Sequence, residues 1–262
     1  MLEMPFRKPR SLRSSLDKQI ERNRYNYRAS TDFQEDFPAL QAMNPLSAPY
    51  IYYNSQIQSL SHINTVHEVC AGSGQNTKVL LDNFDYVVAT DISQNSLQLL
   101  TLRYERQLGK TMSSRLTTII ADIEHLPFPD DSIKLLCCAG GLSYGDNNIV
   151  FNELYRVLCP GGFLLCVDSL DNFPVYSLNR FVHFLLGRRT YSTLLNMPKL
   201  SLLERFNRHY SYTSVKFFGK LTFAFPILRN VLPARLMRDL FSCADRQLPD
   251  FMAFKFVMVA IK

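Results

Sequence analysis

A chain of 262 residues that is 47% apolar and 20% charged can build one large core, and this balance excludes wholesale disorder. Its apolar stretches are broken by Lys, Arg or Pro short of the roughly 18–20 residues that a membrane span needs, and the opening Met1-Leu2-Glu3-Met4-Pro5-Phe6-Arg7-Lys8 has no signal-peptide run. Six cysteines without a C-x-x-C pair read as reduced core thiols, so a cytoplasmic protein is expected.

Residues 11–28 have helical composition with charges on most faces, followed by a loop punctuated by Pro38, Pro45 and Pro49 and by the aromatic cluster Tyr50-Ile51-Tyr52-Tyr53. From residue 65 short apolar runs alternate with amphipathic stretches. Strands are expected at 66–70, 86–90, 116–121, 133–139 and 163–167. Helices are expected at 76–83, from the N-cap Ser93 to near Gly109, and at 148–158, where Pro160-Gly161-Gly162 stops the last of them. Continuous apolar strands alternating with helices predict a parallel sheet covered on both faces. Beyond it, 176–186 and 200–210 read as helices and 214–218 and 254–261 as strands, with 219–250 inserted between the last two.

The net charge of +6 divides into +2 over residues 1–60, −6 over 61–172 and +10 over 173–262. The basic C-terminal part suits phosphates, anionic glycans, nucleic acid or a membrane surface; a solvated face explains it equally well. Its basic residues are scattered among Leu and Phe with no Arg/Lys-rich arm, so no nucleic-acid partner is expected.

The most informative segment is Glu68-Val69-Cys70-Ala71-Gly72-Ser73-Gly74, a Gly-x-Gly turn between the first strand and the first helix. Such a turn lets a ligand approach the backbone at a helix N-terminus. Asp91 ends the second strand, where a ribose-binding carboxylate belongs, and Asp122 ends the third. Three such features at successive strand C-termini point to the ligand edge of an open α/β sheet. A dinucleotide fingerprint requires glycine at position 77, where this chain has Thr77, and Glu68 beneath the turn is a poor neighbour for a pyrophosphate. The carboxylate suits an ammonium or sulfonium group, favouring a cationic adenosine cofactor over NAD or ATP.

These segments, with Ala89-Thr90-Asp91-Ile92-Ser93, Ala121-Asp122-Ile123-Glu124-His125-Leu126-Pro127 and Glu153-Leu154-Tyr155-Arg156-Val157-Leu158-Cys159-Pro160-Gly161-Gly162, resemble the class I S-adenosylmethionine-dependent methyltransferases over roughly residues 61–170. The quinone and small-molecule branch is the most alike. The resemblance implies a Rossmann-like α/β fold with a seven-stranded sheet whose last strand is antiparallel, an N-terminal helical cap and a C-terminal insertion. The cap would be residues 1–60 and the methyltransferase domain 61–262, with a cofactor half at 61–172 and an acceptor side at 173–262. It implies S-adenosyl-L-methionine as cofactor. Glu68 would hold its amino group, and the turn of Cys70, Ala71, Gly72, Ser73 and Gly74 its methionine portion. Asp91 would bind the ribose with Ile92 beside the adenine, and Asp122 would take the adenine amino group with Ile123 near the ring. Ala139 and Gly140 would line the methyl end. Cys70 stands where the family has its first glycine, and Lys134 where it often has an acid.

Segments 197–206 and 253–257 also resemble methyltransferases of bacterial surface-polysaccharide synthesis, which implies a sugar or glycan hydroxyl as acceptor. A small aromatic, quinone-like or amine acceptor is the alternative, and a non-catalytic cofactor-binding protein is the rival outside enzymes. A sugar hydroxyl is a poor nucleophile that benefits from a general base, for which Tyr144, Asp146 and His183 are the candidates, with Asp168 beside them. Asp146 reads equally as a helix cap, and His183 as a core residue. Tyr50, Tyr52, Tyr53, Tyr176 and Tyr191 would line an acceptor pocket or pack the core, and Arg188-Arg189 would grip an anionic acceptor or end a helix in solvent. No histidine spacing indicates a metal site, and none is expected. Peripheral contact of the basic C-terminal part with a membrane surface is a further candidate.

Overall fold

The computed structural model describes residues 10–31, 47–108 and 114–262. Helix α1 (Arg10–Thr31) is followed by α2 (Ala48–Ser59), β1 (Thr65–Val69), α3 (Thr77–Asn83), β2 (Tyr86–Asp91), α4 (Gln94–Leu108), β3 (Leu116–Ile120), β4 (Ile133–Ala139), α5 (Asn147–Val157) and β5 (Leu158–Ser169). The C-terminal part adds α6 (Pro174–Leu185), α7 (Tyr191–Leu195), α8 (Leu200–His209), β6 (Tyr212–Phe218), α9 (Phe225–Leu228), α10 (Ala234–Gln247) and β7 (Lys255–Ile261). Pro38, Pro45 and Gly109 of the expected loop and helix end lie outside the described residues.

The seven strands lie in the order β3-β2-β1-β4-β5-β7-β6, and only β7 runs against the rest, pairing antiparallel with both β5 and β6. The expected α/β sheet with its reversed last strand is present. Alternation along the strands splits the core between its faces. Leu136 and Cys138 of β4 join Phe151, Leu154 and Phe206 under α5 and α8. Leu135 and Cys137 face the other way, onto Tyr53, Ile57, Leu80 and Leu100 under α2, α3 and α4. Burial on both faces is why these strands read as unbroken apolar runs.

Two expectations change. Pro49 does not continue a loop; it opens α2, where its missing N–H costs nothing, and Pro49, Tyr53 and Ile57 form the helix's buried stripe. Pro160-Gly161-Gly162 is not a plain turn before the fifth strand. The strand starts at Leu158, and the register shifts between Ile133 and Leu135 across this segment. Gly161 there is left-handed, with φ of 70°, and its carbonyl accepts from Lys134 Nζ at 2.8 Å. Lys134 therefore holds an irregular strand start.

Because the order reverses between β1 and β4, their C-terminal ends part and leave a crevice between them. The loops after β1 to β4 all empty into it.

Candidate functional site

The crevice widens into a cavity of about 290 Å³. Its floor comes from the four strand ends: Cys70 to Ser73 after β1, Asp91 and Ile92 after β2, Asp122 and Ile123 after β3, and Ala139 and Gly140 after β4. Ten of the twelve residues expected around a cofactor are thus gathered in one place. Glu68 and Gly74 are not part of the lining.

Asp91 organises the floor. One carboxylate oxygen accepts from Gly72 N at 2.9 Å and the other from Ser93 N at 2.8 Å, tying the end of β2 to the glycine turn and to the start of α4. Burial raises its pKa while these amides oppose the rise. Ser93 caps α4 as expected, its hydroxyl accepting from Ser96 N at 3.1 Å. Cys70 stands in the left-handed region with φ of 55°, a conformation costly for any side chain and the reason a glycine is usual there. A Cβ placed on Gly72 or Gly140 would meet nothing within 4 Å, so both leave backbone open to the cavity.

Gly74 meets a different demand. Its φ is 90°, and a Cβ there would lie 2.9 Å from Leu100 Cγ and 3.0 Å from Tyr104 Cε2. It lets the turn press onto α4. Glu68 lies beneath the turn, buried, and accepts from Thr77 Oγ1 at 2.6 Å. The threonine that breaks the dinucleotide fingerprint is thus the partner of this carboxyl group. Burial pushes the Glu68 pKa up to about 8 against the Thr77 hydrogen bond, with the Asp91 charge adding to the rise.

The expected N-terminal helix is present, but the face by which it roofs the cavity was not legible in the sequence. Helix α1 crosses the cavity with Lys18, Glu21, Tyr25, Arg28 and Ala29 on the lining face. Lys18 Nζ donates to Asp122 at 2.6 Å and to Glu124 at 2.5 Å, and Asp122 also accepts from Glu124 N at 3.0 Å. Tyr25 bonds phenol to phenol with Tyr144, the rings edge to face at 5.7 Å. Asn26 accepts from Ser93 Oγ, Asp17 from Ser192 N, and Glu21 from Thr190 N, which pins the helix to both flanks. Helical spacing of 18, 21, 25, 28 and 29 places these side chains on one face. Nothing in a sequence with charges on most faces marks which face docks.

Of the three base candidates only Tyr144 lines the cavity, and burial holds its phenol well above its ordinary pKa, against a role as phenolate. Asp146 is the N-cap of α5, its carboxylate accepting from Asn148 N at 2.9 Å, while its own N–H donates to Glu124. His183 sits half-buried in the last turn of α6, away from the lining. Asp168 is buried and holds Leu142 N at 2.9 Å, anchoring the loop after β4. The aromatics named for an acceptor pocket go elsewhere: Tyr53 into the core, Tyr176 onto Gly219 O, Tyr52 beneath Lys216 and Tyr50 beneath Lys255. Asp122, Glu124 and His125 bring ligand atoms within 4.8 Å of one another, but the Lys18 ammonium already occupies the two carboxylates.

The model of the methyltransferase domain family matches residues 67–166. A demethylmenaquinone methyltransferase of Chlamydia trachomatis serovar L2 is 30% identical over 174 residues, covering 57% of this chain and 71% of that protein. One of Listeria welshimeri is 26% identical over 152 residues, covering 54% and 63%. Among solved structures, geranyl diphosphate C-methyltransferase of Streptomyces coelicolor A3(2), in complex with Mg²⁺, geranyl diphosphate and S-adenosyl-L-homocysteine, superposes with a TM-score of 0.54 at 11% identity, covering 88% of this chain and 87% of that one. At that identity the likeness concerns the fold.

Two outcomes follow from this geometry. The folded pKa of Glu68 lies above its ordinary value of 4.5, so the unfolded chain releases the proton first as pH rises, and stability falls from about pH 4.5 towards about pH 8. Urea midpoints measured across that range should slope less in Glu68→Gln; an identical slope would place the proton elsewhere. Asp146→Ala should cost about 1 kcal/mol of stability through the lost cap and leave cofactor affinity unchanged, as read by urea denaturation and calorimetry.

Proposed function

Because the chain belongs to the class I S-adenosylmethionine-dependent methyltransferases, with S-adenosylmethionine as its methyl donor, we propose that its acceptor is a small, flat, quinone-like ring. The observation that carries this is the 30% identity to a protein named demethylmenaquinone methyltransferase. The cavity supports it. Glu21, Asp91 and Asp122, its described carboxylates, all accept hydrogen bonds already, and no histidine lines it among the described residues. A sugar hydroxyl needs a base more than an enol or phenol does, so such a lining suits the ring. The segments that resemble polysaccharide methyltransferases are accounted for by packing: Met197, Leu203, Phe206, Ala253, Phe256 and Val257 are all core residues.

The residues present fit the cofactor: Gly72 and Gly140 leave open backbone beside a cavity floored by Asp91 and Asp122. We assign Asp91 to the ribose hydroxyls, Asp122 to the adenine amino group with Ile92 and Ile123 along the ring, and the turn from Cys70 to Gly74 to the methionine portion. Glu68, buried outside the lining, supports that turn from below through Thr77. S-adenosylmethionine supplies a methyl group already activated on sulfonium. The chain's own part is then alignment and exclusion of water. Tyr25 and Tyr144 close the cavity beside Gly140, and Tyr144 acts there as a hydrogen-bond donor to the acceptor.

In this reading residues 1–60 are the cap, 61–172 the cofactor half and 173–262 the acceptor side. The protein works in the cytoplasm, in keeping with six free cysteines. Contact of the basic C-terminal part with a membrane surface belongs to the same reading. Among the described residues no helix is long and apolar enough to cross a membrane.

The test is transfer of isotopically labelled methyl from S-adenosylmethionine to two acceptor sets, hydroxylated naphthoquinols and nucleotide sugars. Label is expected on the naphthoquinols alone. Label on the nucleotide sugars alone would overturn the acceptor assignment.

A further inference from the structure

Helix α6 is built inside out. Its buried positions are Tyr176 and Arg180, the latter only 3% exposed and ion-paired with Asp171 at 2.7 Å. Its outward positions are Val175, Leu178, Phe181, Val182 and Leu185, followed by Leu186, each between 44% and 66% exposed. Positions 178, 181, 182 and 185 follow the i, i+3, i+4, i+7 spacing of one helical stripe. An ordinary surface helix turns such a stripe inward and an arginine outward. Phe223 and Phe251, both partly exposed, extend the apolar surface at the helix N-terminus through ring contacts with Phe173 at 5.5 and 6.2 Å.

Within the segment that carries the stripe, the charge has one sign. Between residues 173 and 203 there is no Asp or Glu, and the charged residues besides the buried Arg180 are Arg188, Arg189 and Lys199. Arg188 and Lys199 are exposed. We infer that the outer face of α6 seats on an anionic lipid bilayer, with Val175, Leu178, Phe181, Val182 and Leu185 entering the headgroup boundary and the exposed Arg188 and Lys199 meeting the lipid phosphates. This deepens the membrane-surface part of the proposed function, and rests on it, by naming the surface.

A twelve-residue helix is too short to span the hydrocarbon layer, so it lies in the interface plane. A second copy of the chain is a poorer occupant, since an isologous contact would bring the exposed Arg188 and Lys199 of one copy up to those of the other with no acid in this segment to answer them. The face is also coupled to the cavity. At the C-terminal end of α6, the carbonyls of Gly187 and Arg188 accept from Arg24 of α1 at 3.3 and 3.1 Å, and the next residue of α1, Tyr25, lines the cavity. Seating α6 on a bilayer therefore holds the roof of the cavity close to the lipid surface.

The experiment is co-sedimentation of the full chain with vesicles of phosphatidylcholine alone and of phosphatidylcholine with one-quarter phosphatidylglycerol. Binding is expected to the anionic vesicles, to fall as salt rises, and to weaken about tenfold or more in Leu178→Ser/Leu185→Ser and again in Arg188→Gln. The two leucines are solvent-exposed, so that variant should keep its melting temperature and its affinity for S-adenosylhomocysteine. Failure to bind either vesicle, or equal binding to both, overturns the proposal. So does a wild-type dimer that the leucine pair converts to monomer. Vesicle binding without affinity for S-adenosylhomocysteine would sink the methyltransferase site and leave the docking face standing; the reverse would sink the face alone.

Discussion

Everything at the ligand edge depends on the two backbone amides held by Asp91. Gly72 N and Ser93 N belong to loops that leave different strands, and a buried carboxylate that accepts from both makes them one surface. A carboxylate so placed loses hydration and regains it from amides, which is how a charged group is tolerated in a nearly closed position. The left-handed Cys70, the open backbone at Gly72 and the close packing of Gly74 on Leu100 and Tyr104 are all set by where this knot holds the turn. An exposed acid at a strand end would do none of this.

The second constraint comes from far away in sequence. Helix α1 brings an ammonium, a carboxylate and a phenol to the ligand edge of a sheet that begins more than thirty residues later. Lys18 answers the acidic pair Asp122 and Glu124, and Tyr25 answers Tyr144. These contacts join the Asp122 side of the cavity to its Gly140 side across the top. Opening the cavity on this side must break some of them, so α1 contributes to the cost of opening.

Strands β1 to β4 and helices α3 to α5 were legible because the signals are local: apolar runs buried on both faces, Ser93 as a cap, glycines where φ is positive. The strand-end carboxylates were legible because a parallel sheet delivers its C-terminal ends to one edge. Helix α2 was hidden by Pro49 and a dense aromatic cluster, although a proline is at home in a first helical turn. Helix α10 was hidden between Pro233 and Pro249, although Met237, Phe241 and Ala244 carry a helical stripe. The roof and the fate of Asp146 and His183 were not legible, because docking of a distant helix and the choice between cap and base are decided in three dimensions. The inverted face of α6 belongs with these: an amphipathic pattern records that a helix has two sides, not which one the core receives.

The central claim is that Asp91 and the loops it binds together hold S-adenosylmethionine. Calorimetric titration of the purified chain with S-adenosylhomocysteine, with NAD as the control ligand, tests it most directly. Saturable binding of S-adenosylhomocysteine alone, weakened about tenfold or more in Asp91→Asn, is the predicted result. Binding of NAD instead, or an Asp91→Asn variant with undiminished affinity, would contradict it.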